Sequence, residues 1–479
     1  MHQDGAGVNR PEPGRRDTPV RMAELLLTHA YFLAADPHEQ ELMRPFPPLG
    51  LQYLVAWLRR EEVCSVEWWD ATWQAGPEAF AAVVADVDPR VVGFYGHLVT
   101  RDAARRMIAA CGDRRIVAGG PDPVQGLDVY FDMGVEVVVI GEGELTLAAL
   151  VRHLAANGYR WDWSTLASVE GIAFRAPDGA IVRTPPRPLI RPLDRLPWPH
   201  RAPSDHAAYF AAWRARHGET AMSLATSRGC PFHCTWCSKQ VFGDTFRRRD
   251  VESVIDEMAH LRDVWKPDQL WFVDDLFTIN RTWVRRFCAR VVERRVVVPF
   301  YVIARAGSID AELARELRAA GCWRVYLSAE SGAQSVLDAM RKETTVEEQL
   351  LAAERLHAAG IEVGTFVMLG YPGETHADVL ATRDMLRRMD PEVSLLSVAH
   401  PMKGTAFHEA VAARITGERN GRVLFEKTYS DVYYAAAQRL LHAEQGVRRA
   451  RAAGDVFAAA RHAAPWPWWR AQMAVLARR

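Results

Sequence analysis

Long apolar runs are missing from this 479-residue chain. None reaches the roughly 20 residues that span a bilayer, which excludes a membrane-spanning helix and leaves a soluble protein as the expectation. An excess of charge is missing too: 59 Lys and Arg face 59 Asp and Glu, for a formal net charge of zero. Such a balance gives no global pull toward nucleic acid or an anionic membrane, so a small or neutral substrate fits better than a polyanion. Cysteine is scarce. The seven are Cys64, Cys111, Cys230, Cys234, Cys237, Cys288 and Cys322, an odd number and mostly scattered. With no secretory leader at the start, they argue against a disulfide framework and for a reducing cytoplasm. The three that cluster, in SRGCPFHCTWCSK, have no fourth cysteine near them.

The first stretch, residues 1–22, is polar and rich in Gly, Pro and Arg, and reads as a disordered tail. Over residues 23–157 short apolar runs (AELLLTHAYF, SVEWWDAT, RVVGFYG, RIVAGG, VEVVVIGEGE) alternate with amphipathic stretches. Continuous apolar strands between helices predict a doubly wound α/β domain with a parallel sheet. Its ligand should lie beyond the carboxyl ends of the strands. Three turns there are candidate contacts: Tyr95, Gly96 and His97; Gly119, Gly120 and Pro121; and Gly141, Glu142 and Gly143. Glycine lets backbone approach a ligand, and helix N-termini point at it; glycines that only make tight turns account for any one of the three. Residues 158–215 are proline-rich, as in RTPPRPLIRPLDRLPWPHRAP, and read as an irregular linker or strap.

A second βα series fills residues 216–410, with strands AMSLATS, QLWFVD, PFYVIAR, WRVYLSAE, VGTFVML and VSLLSVA. Six βα units in sequence predict a partial β/α barrel, whose chemistry belongs at the carboxyl ends of its strands. The cysteine cluster directly follows the first of these strands. Residues 411–479 read as a helical, aromatic-rich C-terminal region.

Clustered thiolates in a reducing compartment select zinc, copper(I) or an iron–sulfur cluster. Structural zinc takes four ligands, usually in two pairs; only His233 stands near enough to complete a Cys₃His set. A cubic four-iron cluster on Cys230, Cys234 and Cys237 instead leaves one iron open to a small molecule.

The spacing CxxxCxxC after the first strand of a β/α barrel resembles the signature of the radical S-adenosylmethionine superfamily. The resemblance implies a [4Fe–4S] cluster whose open iron is chelated by the amine and carboxylate of S-adenosylmethionine, and an electron that cleaves the sulfonium to a deoxyadenosyl radical. It also implies S-adenosylmethionine contacts at Trp236 before the third cysteine, Asp274 and Asp275 in WFVDDLFT, Arg305 in YVIARAG, and Glu330 with Ser331 in YLSAESGAQ. FVMLGYPGET is similar to the segment that backs the adenine. Two adjacent acids after a strand also cap helices, and Arg305 can serve in a surface ion pair.

The leading α/β domain resembles that of the cobalamin-dependent branch of the superfamily, through RPFPPLGLQYLVAWLRR, GGPDP, VVVIGEGELT and the strap PLDRLPWP. The three glycine turns then imply cobalamin contacts. The DxHxxG motif that supplies a lower cobalt ligand in many methyl-transferring cobalamin proteins is absent, and His97 is the substitute to test. The implied activity is methylation of an unactivated carbon of a small, natural-product-type molecule, in a cavity between the domains, with an external electron donor such as flavodoxin or ferredoxin. Ring formation or oxygen insertion without methyl transfer is the alternative. A methylthiotransferase needs a further cysteine triad, and only Cys64 and Cys111 precede the linker; a non-catalytic metal-binding protein is the remaining reading.

Overall fold

The computed structural model describes residues 22–239, 241–419 and 422–477. The expected tail over residues 1–22 lies outside them, apart from Met22. The chain divides into two compact units: the first runs to Leu189 and includes Leu196–Arg216, and the second comprises Ile190–Arg195 and the chain from His217 onward.

Seven strands form the sheet of the first unit: β1 (Leu25–His29), β2 (Val66–Trp69), β3 (Val91–Tyr95), β4 (Arg115–Gly119), β5 (Val137–Val139), β6 (Ile172–Arg175) and β7 (Ile181–Arg183). Their order is β2-β1-β3-β4-β5-β6-β7. The first five are parallel, and apolar on both faces because helices cover both. Leu25, Leu27, Val91, Val117 and Val137 pack against the helices Leu49–Arg60 and Gly143–Ala156. Leu26, Val92, Ile116 and Val138 face Phe80–Val87 and Arg101–Ala109. The winding reverses between β1 and β3, so their carboxyl ends flank the crevice where such sheets bind ligands.

The expected linker over 158–215 is largely ordered into this unit. Its GIAFRAPDGAIVR is a strand–turn–strand unit closed at Asp178-Gly179, with β6 adding antiparallel to β5 and β7 antiparallel to β6. The prolines just after it mask that pattern in the sequence. The helix Pro203–His217 buries Tyr209 and Trp213, and Trp213 Nε1 donates to the Pro45 carbonyl at 2.8 Å.

In the second unit, β8 (Ala221–Leu224) leads into β9 (Ser227–Arg228) and β10 (Arg247–Arg248), a two-stranded antiparallel ribbon. Next come β11 (Gln269–Phe272), β12 (Phe300–Ala304), β13 (Cys322–Glu330), β14 (Glu362–Leu369) and β15 (Val393–Val398). The main sheet has six parallel strands in chain order, β8-β11-β12-β13-β14-β15. Winding always in one direction puts every helix on one face and curls the sheet into a partial barrel. Phe300, Val302 and Ala304 are fully buried, whereas Tyr301 and Ile303, on the opposite face, are only half-buried.

The C-terminal region holds the helices Asp431–Ala452, Val456–Ala463 and Trp466–Leu476. It also holds an antiparallel hairpin, β16 (Ile415–Arg419) and β17 (Arg422–Phe425), where only helix was expected.

Candidate functional site

The cysteine loop runs between β9 and β10, beyond the carboxyl end of β8. Its entry is fixed by Gly229, whose φ is +83° and whose missing Cβ would stand 2.1 Å from the Thr245 carbonyl. Any side chain there would force the two limbs apart. The root is held by Asp274: Oδ1 accepts the N–H groups of Thr226 at 2.7 Å and Ser227 at 2.8 Å. Oδ2 accepts the Thr226 hydroxyl and lies 3.4 Å from Arg248 Nη2. Arg248 is buried against Phe246, Phe277 and Trp283, and burial pulls it down to about 10 while Asp274 opposes that fall. Asp274, expected as a nucleotide contact, thus spends both oxygens on the loop.

The tip of the loop is pinned from three other segments. Thr235 N–H donates to the Met340 carbonyl at 3.1 Å, Thr235 Oγ1 lies 2.6 Å from the Tyr371 hydroxyl, and Phe407 N–H donates to the Thr235 carbonyl at 2.9 Å. Trp236 packs with Tyr371, Phe407 and Ala333. Arg305 stacks 3.7 Å from the ring centroid of Phe232 and donates to the carbonyls of Lys342 and Glu343.

All three thiols are free, Cys237 being the most accessible. Cys237 is pushed up to about 11, first by desolvation and then by Asp275, Cys230 and Cys234. Burial also raises Cys230 and Cys234, while Lys342 and then Arg305 pull Cys234 back. Asp275 is raised by desolvation and next by Asp274, with Lys239 opposing. His233 is 62% exposed and lies 3.4 Å from Asp244, which turns it to a carboxylate rather than to the thiols. Among the described residues, no three His, Cys, Asp or Glu side chains converge as ligands of a single ion. The donor set is therefore three soft sulfurs spread along one braced loop, within reach of each other's charge. That chemistry fits an iron–sulfur cluster held by Cys230, Cys234 and Cys237.

Glu330 ends β13 at a register shift against β14, with φ at +66°. Its Oε1 lies 3.2 Å from Lys342 Nζ, both residues being buried. The Ser331 hydroxyl accepts the Ala333 N–H at 3.1 Å and lies 3.2 Å from Thr382 Oγ1, so it is spent within the fold. The structure gathers Trp236, Asp275, Arg305 and Glu330 around the thiol loop, and turns Asp274 and Ser331 to bracing. Sequence reasoning missed Lys342, Thr235 and Tyr371. Lys342 lies in RKETT, a polar turn that reads as solvated; the other two carry no chemical signature.

In the first unit the glycine turns serve the protein's own packing. A Cβ on Gly120, with φ at +104°, would meet the Gly96 carbonyl at 2.8 Å, and one on Gly96 would meet Pro123 at 2.4 Å. Pro121 starts the short helix Pro121–Gln125, and buried Glu142 precedes the helix that Gly143 opens. What the carboxyl end of β3 offers outward is Tyr95 at 38% exposure, His97, and Val99 at 57%. An exposed apolar ledge of this kind suits the broad face of a corrin ring. His29, at the end of β1, is not a second metal candidate. Its Nε2 lies 2.8 Å from Asp70 and its Nδ1 accepts the Tyr31 N–H at 3.2 Å.

Residues 224–386 match the model of the radical SAM superfamily. An uncharacterized methyltransferase, PH0819 of Pyrococcus horikoshii, is 28% identical over 380 residues, 77% of this chain and 79% of that protein. An anaerobic magnesium-protoporphyrin IX monomethyl ester cyclase of Rubrivivax gelatinosus is 28% identical over 74% of this chain and 64% of its own length. Among solved structures, the radical S-adenosylmethionine methyltransferase TsrM of Kitasatospora setae, with cobalamin and a [4Fe–4S] cluster bound, has a TM-score of 0.69 at 21% identity. That likeness covers 83% of this chain and 76% of TsrM. No helix among the described residues is long and apolar enough to cross a membrane.

Proposed function

We propose that this chain, which carries a radical SAM domain over residues 224–386, is a cobalamin-dependent radical S-adenosylmethionine methyltransferase acting on an unactivated carbon of a small, natural-product-type molecule. The observation that carries the reading is the braced loop of three thiols, with no fourth ligand among the described residues, at the carboxyl end of a partial barrel. The same chain folds a second α/β sheet with an open ledge at its own carboxyl edge. When bound, the cluster supplies the electron that splits the sulfonium, and cobalamin supplies the methyl group. The protein's part is positional. Cys230, Cys234 and Cys237 hold the cluster, and Asp274 and Gly229 fix the loop's angle. Thr235, through Met340 and Tyr371, ties its tip to the segments after β13 and β14. Trp236, Arg305 and Glu330 are assigned to the nucleotide, Asp275 to the methionyl amine, and the ledge at Tyr95, His97 and Val99 to the corrin.

The reading carries with it a reducing cytoplasm, an external one-electron donor such as flavodoxin or ferredoxin, and no nucleic-acid partner. Likeness to the cyclase supports the second reading, ring formation without methyl transfer.

Anaerobic reconstitution with iron, sulfide, cobalamin and methyl-labelled S-adenosylmethionine tests both. We expect a brown cluster chromophore, deoxyadenosine, and label in the product of an accepted small molecule. Cys234→Ala should abolish the chromophore and deoxyadenosine together. Normal turnover by that variant would refute the site, and an unlabelled cyclised product would replace methyl transfer with ring formation.

A further inference from the structure

We propose that Lys342 sets the reduction potential of the cluster, by holding a buried positive charge beside the Cys234 arm of the loop. The assignment rests on the cluster reading above and adds a residue to it. Lysine is seldom buried without a compensating role, because removing an ammonium from water is costly. Lys342 is nevertheless only 6% exposed. Its neighbours in the turn, Arg341 and Glu343, both have left-handed backbones, with φ at +50° and +51°. That region is strained for a residue that carries a side chain. Arg305 clamps the turn by donating to the carbonyls of Lys342 and Glu343. The fold therefore accepts local strain, and adds a dedicated clamp, to keep this ammonium inside.

What the ammonium meets there is specific. Nζ lies 3.2 Å from Glu330 Oε1 and 4.9 Å from the ring centroid of Trp236, the residue next to Cys237 in the loop. Among the described residues the ammonium has one carboxylate partner and one ring face, fewer acceptors than its three N–H donors can serve. Two residues before Lys342, the Met340 carbonyl accepts the N–H of Thr235, the neighbour of Cys234, at 3.1 Å, so the turn that carries the ammonium is tied to that arm of the loop. A fixed cation in a low-dielectric setting favours the state with one more electron. N–H donors aimed at cluster sulfurs act in the same direction. Glu330 holds the ammonium in place and partly offsets its charge, so removing either partner should move the potential, in opposite senses.

The test is a redox titration of reconstituted, full-length protein with dithionite, followed by the paramagnetic signal of the reduced cluster. Iron and sulfide contents are measured alongside. Lys342→Met should keep the cluster yet show a reduced-to-oxidised ratio at least tenfold lower at a fixed potential, a 59 mV fall for a one-electron couple. Lys342→Arg, which keeps the charge, should stay within about threefold of the parent ratio. Glu330→Gln should shift the ratio upward. A Lys342→Met protein with full cluster and parental potential overturns the proposal. If that variant retains no iron, Glu330→Gln decides: an upward shift supports the proposal and an unchanged potential overturns it. A parent protein without any cluster signal would overturn the functional reading itself, and this assignment with it.

Discussion

A carboxylate whose two oxygens serve four donors has nothing left for a ligand, and Asp274 is such a group. Its neighbour Asp275 lies near enough to the thiols for its charge to add to the rise that burial imposes on Cys230 and Cys237. Two adjacent acids that are equivalent in the sequence have thus become a brace and a site residue. Asp274→Asn places an amide N–H₂ against donors that need an acceptor, leaving buried N–H groups unmatched at a cost of about 1–3 kcal/mol. We expect its iron content after reconstitution to fall severalfold while the fold persists. Asp275→Asn should load iron normally; equal loading by both variants would contradict the division of labour. Glu374 is a second carboxyl, after Asp275, that burial raises. One oxygen accepts the Gly370 N–H at 2.5 Å, the other has no partner among the described residues, and burial pushes the group up to about 8. Between its ordinary value of 4.5 and about 8 the folded protein therefore binds the proton more tightly than the unfolded chain. Stability from this group is present at acidic pH and is lost as pH rises through that window, by at most ~1.4 kcal/mol per pH unit. Glu374→Gln should flatten the dependence, so that its urea midpoint gains on the parent between pH 6 and 8. Parallel midpoints would show that the carboxyl titrates normally.

Among elements, the parallel strands of both sheets were legible because burial on two faces writes an apolar run into the sequence. The strands that escaped notice are antiparallel, and apart from the buried β6 they are at least partly exposed. β7 reads IVR with both ends exposed, and β16 carries four exposed residues of five. Their order comes from pairing with a neighbour, which no local pattern announces. The same holds for the edge of the barrel sheet. β15 has an open side, and the helix Asp431–Ala452 fastens along it: Gln438 donates to the Leu396 carbonyl at 2.9 Å and Gln445 to the Pro391 carbonyl at 2.8 Å. Glu444, buried, accepts two hydrogen bonds from Arg387 at 2.8 Å and one from Arg470 at 3.3 Å. Both arginines are exposed over more than a third of their side chains, so solvent screens much of the pairing. Glu444→Ala should still cost ~1–3 kcal/mol, since it leaves a gap in a packed helix face. Limited proteolysis should then cut the connection before residue 431 faster than in the parent. Unchanged cleavage would mean that the two glutamines and the apolar face hold the helix without Glu444.

At the scale of the molecule, the sequence spoke most clearly where chemistry is concentrated in few residue types, and least where a site is assembled from backbone and from distant segments. CxxxCxxC after a strand singles out directly the three residues assigned to the cluster. The brace at Asp274, the inward Lys342 and the tie from Thr235 to Tyr371 depend on which segments meet in space, across separations of up to 136 residues. The glycine turns of the first unit were legible as turns, yet Gly120 is needed for the approach of the Gly96 carbonyl and Gly96 for that of Pro123. Of the outward groups at that edge, Tyr95 lies in the turn the sequence singles out, whereas Val99 carries no motif. Each unit presents its own carboxyl edge, and the residues assigned to iron and to corrin belong to different units. Loss of one cofactor should therefore leave binding of the other intact. Val99 is exposed, so Val99→Asp costs the fold little while placing a charge on the apolar ledge assigned to the corrin. We expect cobalamin retention to fall at least fivefold in Val99→Asp with iron content unchanged, and the reverse in Cys234→Ala. Absorbance of the cobalamin after gel filtration and an iron assay on the same fractions read both at once. A Val99→Asp protein with its full complement of cobalamin would place the corrin elsewhere, and a Cys234→Ala protein stripped of both cofactors would show that their sites are coupled.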